Sequence, residues 1–268
     1  MTAPVAELTG VVHRYRGDGG RAVEALAGVD LTLPGGGLTG LVGVNGSGKT
    51  TLLRLLAASL PPTAGRVRVL GHEAPAAGRR RPPRELRRRL AYLPQDPALD
   101  PEMRAGETLR LMAVLHGLPR RERRRRVAGV AAAFGLETLL RRRVDALSGG
   151  QRRRLHLAAG LLHEPDLLLL DEPAAGLDAT AGEALWGELA RRAAEGATVV
   201  VVSHALAEVE RHAGRVVMLD AGRVVADGAP RALLADSGAA DLADLFRRRT
   251  GRDPAELAAK PNRRRGGR

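Results

Sequence analysis

"LVGVNGSGKT", residues Leu41–Thr50, is the stretch on which the fold turns. It closes an apolar run, "LTGLVG", and opens a helical pattern, "KTTLLRLLAASL", that stops at Pro61–Pro62. Between the two, Gly43 to Thr50 fits G-x-x-x-x-G-K-[ST]. The glycines of such a loop let backbone N–H groups converge on phosphates at the positive end of a helix. Of the 43 lysines and arginines only Lys49 and Lys260 are lysine. Wherever a solvated cation suffices, this chain uses arginine. Lys49 therefore reads as a compact ammonium for the β- and γ-phosphates, in a niche too narrow for a planar guanidinium. Thr50 offers its hydroxyl to Mg²⁺.

Further along, "DLLLLDEP" (Asp166–Pro173) is an apolar strand ending in Asp171, whose carboxylate can hold Mg²⁺ through its water shell. Glu172 follows directly, placed to orient or deprotonate an attacking water. In "LSGGQRRR" (Leu147–Arg154), Ser148 and two glycines open a helix, which makes either a second backbone anion site or an ordinary N-cap.

Around these motifs the pattern alternates. Residues 5–40 read as short strands separated by the turns "RGDGGR" and "LPGGG", and "GRVRVLG" (Gly65–Gly71) is another strand. Residues 100–160 carry helical patterns only. After them come strand "DLLLLD", helix "ATAGEALWGELARRAAEG", strand "ATVVVVS", helix "ALAEVERHA" and a hairpin, "RVVMLDAGRVVADG". Fully apolar strands alternating with helices imply an α/β fold, a parallel sheet covered on both faces. The helical stretch is an insertion within it.

Composition narrows the chemistry. The chain has 268 residues, 44% hydrophobic but only 2% aromatic, and no cysteine, which excludes disulfides, thiolate metal sites and cysteine nucleophiles. No signal peptide is read at "MTAPVAELTG", and the longest apolar runs fall far short of the about 20 residues that span a bilayer. The net charge of +13 gathers in "GRRRPPRELRRR" (Gly78–Arg89), "PRRERRRR" (Pro119–Arg126), "RRR" (Arg141–Arg143) and "NRRRGGR" (Asn262–Arg268). No aromatics interleave these clusters, so stacking on single-stranded nucleic acid is not supported, and solvated helix faces are the plainer reading.

The order of the motifs (phosphate loop, Gln95 after "YLP", "LSGGQ", "LLLLDEP", "GLD" at Gly176–Asp178, then His204) resembles the ATP-binding subunit of an ABC transporter over residues 5 to about 230. The chain's two glutamines both fall on motif positions, Gln95 and Gln151. The resemblance implies a P-loop NTPase (RecA-like) parallel-sheet core, an N-terminal antiparallel β subdomain and an inserted all-helical subdomain. An ATPase domain is expected over residues 5–235, with the insertion at about 96–160, a helical extension at 236–254 and a basic, disordered tail at 255–268.

The same resemblance implies a Mg²⁺-dependent ATPase. ATP would be held by Tyr15, stacked on adenine, and by Gly43, Asn45, Gly46, Ser47, Gly48, Lys49, Thr50 and Thr51. Thr50, Gln95 and Asp171 would serve the metal. Glu172 would be the general base, Gln95 the γ-phosphate sensor, and His204 a hold on the γ-phosphate and water. Ser148, Gly149, Gly150 and Gln151 would reach the ATP of a second, head-to-tail subunit in a homodimer or a heterodimer with a related ATPase, and Asp178 would lie in the loop that crosses the dimer. The segment "AAGLDATA" lacks the Thr and Pro that many relatives carry at positions 174 and 179, which weakens a helix start there.

With no span of its own, the subunit would serve a separate integral-membrane permease at the cytoplasmic face of the cell membrane. Two stretches, Tyr92–Pro119 and "LADLFRRRTGR" (Leu242–Arg252), resemble the branch that exports drugs, antibiotics or polysaccharides. An importer ATPase is the alternative. A nucleic-acid or ribosome ATPase fits less well, because no long coiled coil fits between Lys49 and Asp171 and there is one cassette, so no specific nucleic acid is expected. Leu99 and Met103, just after Gln95, are the expected anchors for a permease helix.

Overall fold

A computed structural model of the chain describes residues 4–16, 22–74 and 83–257. The chain opens with two long strands, β1 (Ala6–Arg16) and β2 (Ala22–Leu33), then β3 (Gly37–Val42) and helix α1 (Lys49–Leu56). Strands β4 (Ala64–Val69) and β5 (His72–Glu73), helix α2 (Arg84–Arg89) and strand β6 (Leu90–Leu93) follow. Three helices come next, α3 (Ala105–Leu115), α4 (Arg120–Ala133) and α5 (Gly149–Leu161). Alternation resumes with β7 (Leu167–Asp171), α6 (Ala179–Ala194), β8 (Thr198–Val202) and α7 (Leu206–His212). Then come β9 (Arg215–Asp220), β10 (Arg223–Gly228), α8 (Pro230–Ser237) and α9 (Leu242–Thr250).

The strands form two sheets. One is antiparallel, in the order β2-β1-β4-β5. The other runs β10-β9-β3-β8-β7-β6, parallel from β9 to β6, with β10 added antiparallel through a two-residue turn at Ala221–Gly222. The antiparallel sheet differs from the expected short strands. β1 and β2 are 11 and 12 residues long, because register shifts around Gly10 let β1 bend while it keeps pairing with both β2 and β4.

The period of two along the central strands decides which face meets which layer. Leu168, Leu170, Val199 and Val201 join the core beneath α5, α6 and α7, together with Leu185, Trp186 and Leu189 of α6. Leu167, Leu169, Val200 and Val202 instead join α1 and the antiparallel sheet. Both faces are covered, which is why these strands read as unbroken apolar runs. Leu52, Leu53, Leu55 and Leu56 of α1 are fully buried, each worth about 1.5–3 kcal/mol. They hold the start of that helix rigidly.

Helices α3, α4 and α5 pack on one another through Leu109, Ala113, Val130, Ala131 and Leu155. The end of α8 passes residue 235, and Leu242, Leu245 and Phe246 of α9 are buried in the same core as the parallel sheet. The C-terminal segment is thus packed on the sheet. Residues 255–257, expected as the start of the tail, belong to a 3-10 turn, Pro254–Leu257, with Leu257 buried in that core. The tail from 258 onward, the arginines at 79–81 and the turn at 17–21 lie outside the described residues.

Candidate functional site

Four adjacent parallel strands, β3, β8, β7 and β6, deliver their carboxyl ends to one edge of the sheet, the position where open α/β sheets place ligand crevices. Beyond β3 comes the glycine loop. Beyond β7 come Asp171 and Glu172, beyond β8 His204, and beyond β6 Gln95. The cleft they make, about 300 Å³, is lined by Tyr15, Asn45, Gly46, Gly48, Lys49, Thr50, Thr51, Gln95, Asp171, Glu172 and His204. Gly43 and Ser47 belong to the loop but lie beneath its lining.

The loop conformation requires its glycines. Gly48 has φ +106°, and a Cβ there would lie 2.5 Å from the Ala25 carbonyl oxygen. Gly48 therefore lets the loop press against β2, with the first turn of α1 starting at once. The buried Lys49 ammonium donates to the carbonyls of Gly43 at 2.6 Å and Val44 at 2.8 Å. Burial pulls its pKa down, while Glu172 and Asp171 oppose that shift.

Thr50 donates its hydroxyl hydrogen to Asp171 Oδ2 at 2.9 Å, joining the loop to the end of β7. Burial raises the Asp171 pKa, and the Thr50 hydrogen bond and Lys49 oppose the rise. Next door, Glu172 is raised to about 7, first by burial and then by the charge of Asp171. Its backbone sits at φ +52°, a left-handed conformation that costs a non-glycine residue on the order of 1–3 kcal/mol. Glu172 N–H donates to the Val202 carbonyl at 3.1 Å, which anchors this conformation to β8. His204 Nε2 stands 3.0 Å from Glu172 Oε1. Burial and Lys49 lower the His204 pKa. The pair is a carboxylate able to accept a proton beside an imidazole ring.

Tyr15 closes the other end. Its hydroxyl lies 3.2 Å from Thr51 Oγ1, and its ring meets His13 edge-on at 4.6 Å.

The residues of "LSGGQ" are elsewhere. Ser148 N-caps α5: its hydroxyl oxygen accepts from Gln151 N at 3.2 Å, and Gln151 Oε1 accepts from Ser148 N at 3.0 Å. Ser148 and Gly149 are exposed, and with Gly150 and Gln151 they form no part of this chain's own cleft. Gly150 borders the Gly176 turn, where a Cβ would lie 3.6 Å from the Gly176 carbonyl oxygen. Asp178 N-caps α6, accepting from Ala181 N at 2.8 Å. That cap, worth about 1 kcal/mol, starts the helix without the missing Thr and Pro.

One residue escaped sequence reasoning. Arg153, on α5 and only 5% exposed, donates Nε to the Pro173 carbonyl at 3.0 Å and Nη2 to the Asp171 carbonyl at 3.2 Å. Its guanidinium also donates to the carbonyls of Gln95 and Glu172. It thereby joins the signature helix to the backbone on which the sensor and carboxylates stand. Arg153→Met leaves these buried carbonyls short of donors at about 1–3 kcal/mol each, so denaturant unfolding should show a loss of several kcal/mol. Stability equal to wild type would mean the carbonyls find other partners.

The chain's likenesses to known proteins fit this geometry. Residues 26–175 match the family model described as ABC transporter. The daunorubicin resistance ATP-binding protein DrrA3 of Streptomyces coeruleorubidus is 39% identical over 238 residues, covering 89% of this chain and 73% of that protein. The Nod factor export ATP-binding protein I of Burkholderia thailandensis is 36% identical, covering 81% and 69%. Among solved structures, an ATP-binding subunit of an ABC transporter superposes with a TM-score of 0.80 at 31% identity, covering 90% of this chain and 98% of that one. A dimeric ATP-binding cassette in a post-hydrolysis state, bound to ADP and Pi, superposes at 0.75 and 27% identity, covering 84% and 98%.

Proposed function

Because the chain belongs to the ABC transporter family of ATP-binding subunits, we propose that it hydrolyses ATP to drive a separate membrane permease, as an exporter. The observation that carries the ATPase reading is the convergence of Lys49, the Thr50–Asp171 pair and the Glu172–His204 pair on one cleft. The loop N–H groups and Lys49 bind the β- and γ-phosphates, and Tyr15 stacks on adenine. Gln95 and His204 hold the attacking water and the γ-phosphate in place. Glu172 takes the proton from that water. The hard oxygen donors of Thr50, Asp171 and Gln95 suit Mg²⁺, which when bound supplies charge neutralisation at the β- and γ-oxygens. Purified protein should release phosphate from ATP only with a divalent cation present; turnover that persists in excess EDTA would count against this reading.

The exposed Ser148–Gly149 edge supports a head-to-tail dimer in which Ser148, Gly150 and Gln151 of one subunit close over the ATP of the other. ATP then favours the closed pair and hydrolysis releases it. Export is supported by the names of the relatives, for daunorubicin resistance and for Nod factor export. The export reading puts the subunit at the cytoplasmic face of the membrane; among the described residues no helix is long and apolar enough to cross one. The arginines give little support to nucleic-acid binding, since several are engaged within the fold, among them Arg14 with Glu24, Arg89 with Asp166, and Arg215 with Asp227.

Apart from the expected anchors Leu99 and Met103, a second apolar surface is open to the permease. Leu99 is packed against the core, and Met103 is half-buried, its carbonyl accepting from Val144 N at 2.9 Å. Among the described residues the exposed large apolar side chains are Val23, at the phosphate cleft, and Leu111, Val114 and Leu115 of α3, at helical spacing, with Arg84, Arg87 and Arg88 of α2 beside Leu115. Leu115→Asp should leave basal ATPase intact and reduce copurification with the membrane partner at least tenfold, since a charge there opposes an apolar contact. Undiminished copurification would move the docking surface elsewhere.

A further inference from the structure

Outside the lining of the phosphate cleft, three side chains of α6 and α7 form a cluster that the ATPase reading does not use. Glu208 and His212 lie one turn apart on α7, and Glu183 faces them from α6. One ligand atom from each lies within 4.8 Å of the others. His212 Nε2 is 3.3 Å from Glu183 Oε2 and 3.4 Å from Glu208 Oε2.

These separations are informative. A charge-assisted hydrogen bond between imidazolium and carboxylate closes to about 2.7–2.9 Å. A tetrahedral ion with bonds of about 2.0–2.1 Å sets its ligand atoms about 3.3–3.4 Å apart. Both imidazole–carboxylate separations match the tetrahedral edge rather than the hydrogen bond. A single Nε2–H could in any case serve only one of the two oxygens. His212 Nε2 and Glu208 Oε2 are, moreover, shielded from solvent and have no hydrogen-bond partner, a costly arrangement for two polar atoms that face a third.

The surroundings hold the ligands in place. The Trp186 ring stacks on the His212 imidazole at 5.3 Å with 4° between the planes, which fixes the ring's orientation. Arg211 Nη2 binds Glu183 Oε1 at 2.8 Å and leaves Oε2 turned to the cluster. The guanidinium charge weakens cation binding somewhat but orients the carboxylate, the usual role of an outer partner.

We propose that Glu183, Glu208 and His212 form a site for a borderline divalent transition ion such as Zn²⁺, which clamps α7 to α6. An imidazole with two carboxylates selects such an ion over Mg²⁺, and the fourth position is open to water. The clamp joins two segments that end in the ATPase machinery. Helix α6 begins at its cap Asp178, and α7 begins two residues after His204. Metal binding thereby couples the dimer-crossing loop to the γ-phosphate histidine.

The test uses the full chain without nucleotide, titrated with Zn²⁺ by calorimetry and with Co²⁺ by its visible ligand-field absorption, both in excess Mg²⁺. One tight site per chain with four-coordinate Co²⁺ absorption is expected. His212→Ala and Glu183→Gln should each weaken it by more than the about 10–100-fold that loss of an outer partner costs. Glu183 is exposed, so its variant keeps the test valid even if His212→Ala unfolds. Absence of a tight site, or wild-type affinity in both variants, would overturn the proposal. So would a site lost in Asp171→Asn but kept in Glu183→Gln, which would assign the ion to the phosphate cleft.

Discussion

Glu172→Gln is expected to reduce ATP turnover by about 10²–10⁴-fold, the range that a positioned base contributes, while leaving ATP binding close to wild type. The side chain keeps its size, and Lys49, Thr50 and the loop N–H groups are untouched. What is lost is a carboxylate whose pKa, raised to about 7, suits the proposed role of base at neutral pH. Amide for carboxylate also removes a buried negative charge beside Asp171, so the nucleotide-bound dimer should accumulate. Phosphate release and gel filtration with Mg²⁺ and ATP read both effects. Wild-type turnover would remove Glu172 from its role, and loss of ATP binding would make it a binding residue.

Lys49→Arg should fail nearly as completely as Lys49→Ala, with ATP affinity reduced at least about 100-fold in both. The ammonium sits 2.6 and 2.8 Å from two carbonyls of its own loop and is 6% exposed. A guanidinium is planar and wider, and it cannot aim one compact charge at both those carbonyls and a phosphate. Conservation of charge therefore gives no rescue. Equilibrium binding of a fluorescent ATP analogue measures it; an arginine variant that binds normally would show the niche to be wider than its contacts indicate.

The legible parts of this site were those written in contiguous residues. A glycine loop between an apolar strand and a helix has a set backbone shape, so Gly43 to Thr50 could be placed without tertiary information. An apolar strand ending in two carboxylates was equally direct. The order of the motifs then gave the family, and the alternation of "DLLLLD" and "ATVVVV" with helices gave a doubly covered parallel sheet.

Other features had no local signature. Arg153 is one of three consecutive arginines in a chain full of them. It becomes distinct only because α5 carries it beneath the carbonyls of residues 95 and 171–173. Leu99, expected as an anchor by its place after Gln95, is half-buried against the core, whereas the exposure of Leu111, Val114 and Leu115 on α3 had no signal in their own stretch. The Glu183–Glu208–His212 cluster needs α6 and α7 side by side.

The sequence alone thus determined the fold class, the shape of the glycine loop and the two carboxylates at the end of β7, because spacing within a few residues dictates backbone shape. Tertiary structure alone decided which arginine is buried, which leucines are exposed and how far Glu172 is shifted. Burial and desolvation are sums over neighbours brought from distant parts of the chain, and no short stretch contains them.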